Sequence, residues 1–216
     1  MKNDSELQRD VTAELKWEPS VNAARIGVEV KNGVVTLAGH VLSYAEKHHA
    51  ERAAQRVAGV KALAVEIDVR VPGIDQRTDG DIAHSAENVL HWLVYLPKDS
   101  IKVMVENGWI TLSGHVDWEY QRKSAAAAIR YITGVTGLSN QIVIQANVSL
   151  SAVKSDIESA LKRRAKSDAH QISVAVDGSE VTLTGVVQSW SERDLARNSA
   201  WGTPGVRNVV DNLTIV

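Results

Sequence analysis

The chain has 216 residues, with 24 basic against 26 acidic side chains, a formal net charge of −2 and no cysteine. A balance this close to neutral lacks the basic excess that tracking a nucleic-acid phosphate backbone requires. Without cysteine there are no disulfide frameworks, thiolate metal sites or cysteine nucleophiles.

In chain order, residues 1–7 carry acidic side chains where a signal peptide needs an apolar core. The longest strongly apolar run, 92–96, is far too short to span a bilayer. As written, the chain is expected in the cytoplasm, and in the periplasm if a leader has been removed. Leu7, Val11 and Leu15 then recur every fourth residue and predict an amphipathic helix. Residues 26–41, IGVEVKNGVVTLAGHV, alternate apolar and polar. Centring a turn on Asn32-Gly33 pairs Val30 with Val35, Val28 with Leu37 and Ile26 with Gly39, which puts every apolar residue on one face of a hairpin. Asn-Gly suits a type I′ turn. A second helix follows with Ala50, Ala53, Ala54 and Val57 inward, small enough to lie close on a sheet, and Gly59-Val60 stops it. A strand through Val65, Ile67 and Val69 completes the unit.

The same series then recurs twice. Helical stripes start at Ile82/Ala86/Leu90 and Val153/Ile157/Leu161, and the hairpins read IKVMVENGWITLSGHV at 101–116 and ISVAVDGSEVTLTGVV at 172–187. Aligning Gly39, Gly114 and Gly185 gives offsets of 114−39=75 and 185−114=71, and a Gly-Val pair begins 20 residues after each glycine. Asn107-Gly108 repeats the type I′ chemistry, while Gly178-Ser179 suits type II′. The later helices and strands follow with Ala125, Ala128, Ile129 and Ile132, then Ile142/Ile144 and Leu213/Ile215. The fold class is therefore α+β, as three tandem αββαβ domains at 1–72, 73–148 and 149–216. Each is expected to be a three-stranded sheet, mixed because the helix supplies a crossover, with two helices on one face. Domains of about 65 residues bury a modest core, so the copies are expected to pack on one another. The longer linker at 72–78, with Pro72 and Gly73, leaves copy one less tightly coupled than copies two and three, which are joined near 146–149.

These hairpin strings resemble the BON domain, the module named for bacterial osmotically inducible and nodulation proteins. So do the glycine before the second helix, the Gly-Val after it, and the tails GHVDWEYQRKSAAAAIRYITGV at 114–135 and GVRNVVDNLTIV at 205–216. The likeness covers nearly the whole chain. It implies a bacterial envelope or stress protein that engages phospholipid surfaces or protein partners.

Residue by residue, little points to catalysis or a cofactor. No Gly-x-Ser-x-Gly or phosphate loop is present, and Asp117, Glu119 and Glu192 fall near helix starts, where carboxylates favour the dipole in any case. His48 and His49 are adjacent on a helix rather than four apart, and His40 and His115 have Val186 as their counterpart in copy three, so no metal site is expected.

The aromatics carry more information, since there are six tryptophans and no phenylalanine. Trp118 and Trp190, with Tyr44 in copy one, fall where the second helix starts. Each is either a staple that fixes the helix start or an interfacial ring for lipid or protein. Trp92, Leu93, Val94, Tyr95 and Leu96 exceed what one helical stripe hides, and have a neighbouring copy, a lipid or partner surface, or local core as destinations. Met104, Trp109 and Val143 are expected together on the open face of the second sheet, where large apolar residues mark an interface. Lys162, Arg163, Arg164 and Lys166 form a basic run that either complements a helix end or attracts anionic headgroups. Two readings follow. One is a non-enzymatic stress or envelope module that binds phospholipid or protein. The other is a cytoplasmic chaperone-like scaffold whose apolar patches make interdomain and protein contacts.

Overall fold

Helix starts are set by local chemistry. Asn3 and Thr78 each cap a first helix through a capping box, with Glu6 and Asp81 reaching back to the cap amide. In a computed structural model that describes residues 2–145, 172–203 and 206–216, copy one comprises α1 (Asp4–Trp17), β1 (Ile26–Lys31), β2 (Val34–Val41), α2 (Tyr44–Arg56) and β3 (Ala62–Val69). Copy two repeats it as α3 (Asp79–His91), β4 (Ile101–Glu106), β5 (Trp109–Val116), α4 (Glu119–Ile129) and β6 (Gly137–Ile144). Copy three contributes β7 (Ile172–Asp177), β8 (Glu180–Val187), α5 (Trp190–Trp201) and β9 (Asn208–Ile215). Its first helix, expected from Val153, Ile157 and Leu161, lies outside the described residues, as does the basic run Lys162, Arg163, Arg164 and Lys166.

Each sheet places the second strand of its hairpin in the middle, antiparallel to the first strand and parallel to the third. The sheets are therefore mixed. The hairpin register is the one the apolar pattern demands, with Val30 opposite Val35 and Val28 opposite Leu37. Asn32 and Gly33 both have positive φ, at 54° and 78°, as a type I′ turn needs, while in copy three only Gly178 does. The anchor glycines that align the repeats have a steric reason. A Cβ on Gly114, whose φ is +119°, would lie 2.0 Å from the Ser100 carbonyl oxygen, and one on Gly39 would lie 2.1 Å from that of Arg25. Only glycine permits this approach.

The apolar stripes form the cores. Leu7, Val11 and Leu15 of α1 meet Val35, Leu37, Ala50, Ala53 and Ala54, all buried. Copies two and three share one continuous apolar cluster, from Ile82 through Ile110 and Leu112 to Leu183 and Trp201, whereas copy one keeps its own. That division does not make copy one loosely held, because the Trp190 ring of copy three packs on its core and its own Tyr44 packs on the shared one.

The copies also meet through their second helices, α2, α4 and α5. Lys123 of copy two donates to the Asn198 side chain of copy three. Asp194 of copy three accepts from Arg52 of copy one at 2.7 Å. Counted from the anchor glycines, Lys123 and Asp194 are equivalent positions, nine residues on, and Asn198 and Arg52 are equivalent, thirteen on. Two interfaces thus use the same pair of positions in the same sense. The third, copy one with copy two, would pair His48 with Ala127, which offers no polar atom. There Tyr44 packs against the shared core, and His49 lies 3.2 Å from the Tyr131 hydroxyl.

Candidate functional site

α3 ends at His91, so Trp92 is its C-cap and the rest of the apolar run forms the loop into β4. The run divides cleanly. Leu93 and Leu96 turn inward and pack against the core of copies two and three. Trp92 and Val94 project into solvent, at 81% and 94% exposure, and Tyr95 is 40% exposed against the ring of Tyr120. Neither Trp92 nor Val94 is covered by a neighbouring copy. The loop is held from beneath by Gln121, a buried amide whose Nε2 donates to the Tyr95 carbonyl at 2.6 Å while its Oε1 accepts from the amides of Asp117 and Trp118. Gln121 therefore ties the start of α4 to the exposed loop.

Beside the loop, between α3 and the edge strand β4, runs a cleft of about 830 Å3. Its lining is apolar at Leu93, Leu96 and Val103 and carries two lysines, Lys98 and Lys102, and two carboxylates, Glu87 and Asp99. Lys102 sits two residues before Met104 on the open phase of β4, so the cleft leads onto the open sheet face. On that face Met104 and Trp109 are 60% and 51% exposed. The Trp109 ring lies flat on Gly137, where an added Cβ would stand 2.1 Å from the ring. The equivalent cross-strand pairs are Val34 with Ala62 and Glu180 with Asn208, so only copy two has an indole on a glycine.

Val143 corrects the expected cluster. It is exposed on the same face, yet it pairs with His115, six residues along β5 from Trp109. At about 3.3 Å per residue that is roughly 20 Å away. Parallel pairing of β5 with β6 causes this separation, since strand order and register were not set by the hairpin pattern.

Trp118 and Trp190 also separate. Trp118 occupies the N-cap position held by Ser43 and Ser189 in the other copies, one residue before the position of Trp190. An indole offers no oxygen for a cap, and the Gln121 side chain serves the amides instead. Trp190 reaches across to copy one. Its Nε1–H donates to the Val60 carbonyl at 2.9 Å, the ring packs on the core of copy one, and Arg193 lies 5.3 Å from its centroid. The ring thus serves an interdomain contact.

His48 lies at the contact between copies one and two, where burial, then the nearby charges of Arg130, Arg52 and His49, push its pKa down to about 4. Burial raises the neighbouring Glu51 carboxyl above its usual range. Among the described residues no group of three His, Asp or Glu side chains is placed to hold a metal ion, and no described helix is long and apolar enough to cross a membrane.

Comparison with known proteins places this geometry in a family. The family model described as BON domain matches residues 3–71, 78–146 and 149–216. The osmotically-inducible protein Y of Escherichia coli (strain K12) is 29% identical over 144 residues, which covers 65% of this chain and 72% of that protein. Among solved structures, the C-terminal domain of CdsD, a structural protein of the type III secretion system of Chlamydia trachomatis, is 17% identical with a TM-score of 0.27, all of both chains being covered. The PrgH periplasmic domain is 13% identical with a TM-score of 0.24, over 89% of this chain and 95% of that one. Overlaps this loose say nothing of function. The cytoplasmic placement expected from the sequence finds no support in these relatives.

Proposed function

The chain belongs to the BON domain family, and from that membership we propose that it is a non-enzymatic binding module of bacterial stress physiology that docks on phospholipid surfaces through its second domain. The association with stress follows the likeness to an osmotically inducible protein. The docking face is the exposed loop of Trp92, Val94 and Tyr95, continued by Lys98, Lys102, Met104 and Trp109.

The observation that carries this reading is the exposure of Trp92 and Val94, at 81% and 94%, on a loop whose Val94 lines a cleft with Lys98 and Lys102 as well as Glu87 and Asp99. An indole and a branched aliphatic side chain at a loop tip suit the headgroup boundary, where aromatic rings are favoured. Each basic side chain near an anionic surface adds about 1 kcal/mol. The run Lys162, Arg163, Arg164 and Lys166 would add to the same attraction. Two apolar side chains with a few lysines give weak, salt-sensitive attachment rather than insertion.

Vesicle co-sedimentation at low and moderate salt tests the proposal. Binding should need anionic lipid, fade with salt and weaken in Trp92→Ala. A chain that stays in the supernatant with every lipid would end the lipid reading. Protein partners would then inherit the surface, a reading favoured by the flat apolar platform of Trp109 on Gly137 next to the edge strand β4.

A further inference from the structure

We propose that copy one is an exchangeable domain: the contacts that seat it on copies two and three within one chain can be made equally with a second copy of this chain, giving a swapped dimer. The partner is thus another molecule of the same protein. Three observations converge on this.

The buried residues of copy one form a cluster of their own, while those of copies two and three share one. When copy one leaves, only two partly buried hydrophobic rings among the described residues are uncovered, Trp190 on its core and Tyr44 on the shared core, and the buried residues of each cluster stay together. Among the described residues its docking contacts are directional. The Trp190 indole donates to the Val60 carbonyl, Arg52 pairs with Asp194 at 2.7 Å, and Tyr44 and His49 reach copy two. Finally, the connection from copy one to the rest is the segment after β3. It carries Pro72 and Gly73, a short 3₁₀ turn at Gly73–Asp75, and an Ile74 that is 85% exposed. Among the described residues, neither apolar cluster includes Pro72 or Ile74.

The interface is also of the right kind. Copy two meets copy three, and copy three meets copy one, through the same two helix positions in the same sense, so each contact is heterologous. Such contacts close into a ring or continue into another molecule, depending only on whether the connection lets the ends meet. Here the linker at 72–78 lets them meet, and its short length gives the intramolecular contact a high effective concentration. Shortening it removes that advantage but leaves the surfaces intact.

The test uses the full chain with residues 73–76 deleted, which takes up to about 14 Å from the reach of the linker. Size-exclusion chromatography with light scattering should show the wild type as a monomer and the deletion variant at doubled mass, with unchanged circular dichroism. Adding Trp190→Ala to the deletion should weaken the dimer on the order of tenfold or more, as loss of an aromatic anchor does. In the deletion background, Arg52→Asp and Asp194→Arg should each weaken it alone, and mixing the two chains should restore a mixed dimer, because each then offers the charge the other lacks. A folded deletion variant that stays monomeric at all concentrations would overturn the proposal. So would a dimer indifferent to Trp190→Ala and to both charge reversals.

Discussion

Single side chains decide how the copies meet, and His48 gives that contact a pH dependence. Its folded-state pKa is near 4 against an ordinary value of 6.5. Between those values the unfolded chain binds a proton that the folded chain refuses, so stability falls as pH drops from 6.5 towards 4. Glu51 acts in the opposite direction, because its raised pKa lets the folded chain hold a proton above the usual carboxylate range. His48→Gln should therefore lose less stability than the wild type between pH 7 and pH 5, measured from denaturant midpoints. Parallel losses would show that His48 is not the group responsible. At the same scale, Gly137→Val would drive a side chain into the Trp109 ring, since even a Cβ there stands 2.1 Å away. The ring must lift off the sheet, and a red shift of tryptophan emission, with little change in secondary structure, is the expected result. The sequence showed that Trp109 faces outward. The reason it lies flat was hidden, because β6 pairs with β5 across a crossover whose register no local pattern fixes.

At the scale of elements, the hairpins were legible to the residue. Alternation and the Asn-Gly turn fix every pair from Ile26 opposite Gly39 to Lys31 opposite Val34. What the pattern did not reveal is a clamp between first helix and hairpin. Asp4 accepts from the amides of Asn32 and Gly33 at 2.7 and 3.0 Å, and Asp79 accepts from those of Asn107 and Gly108 at 2.8 and 2.9 Å. Both aspartates stand 35 residues before their anchor glycine, and copy three, whose turn is Gly178-Ser179, has Leu150 there. The signal was present as a pairing of Asp with Asn-Gly inside the repeat, but its partners are 28 residues apart and share no periodicity. Hydrogen bonds to a charged acceptor contribute roughly 1.5–3 kcal/mol each when well formed. Asp79→Ala loses both bonds but leaves the two turn amides to water, which recovers part of each, so the net cost should be about 1.5–3 kcal/mol, read as a lower denaturation midpoint. A change under about 0.5 kcal/mol, the range of ordinary surface substitutions, would show that the clamp is dispensable.

Across the whole molecule, the repeat predicted three domains, and the likeness to the family followed from the same strings. Their mutual arrangement was not legible. Interdomain contacts use Arg52 and Asp194, which read in sequence as ordinary exposed helix positions, and Trp190, which read as a staple or an interfacial ring and whose hydrogen-bond acceptor, Val60, lies 130 residues away. The candidate site was half legible. Counting apolar residues in the run 92–96 showed that some must face outward, but only the structure assigns Leu93 and Leu96 to the core and frees Trp92 and Val94. Trp118 and Trp190, alike in sequence, fall one position apart in the repeat, which sends Trp190 to the neighbouring domain.

The measurement that bears most directly on the function is co-sedimentation of the full chain with vesicles of neutral or anionic phospholipid, compared with the variant Trp92→Ala/Val94→Asp. The wild type should pellet with anionic vesicles at low salt and be released as salt rises, while the variant stays in the supernatant with its fold unchanged. If the variant pellets as well as the wild type, the exposed loop of copy two is not the docking surface, and if neither pellets, phospholipid is not the ligand.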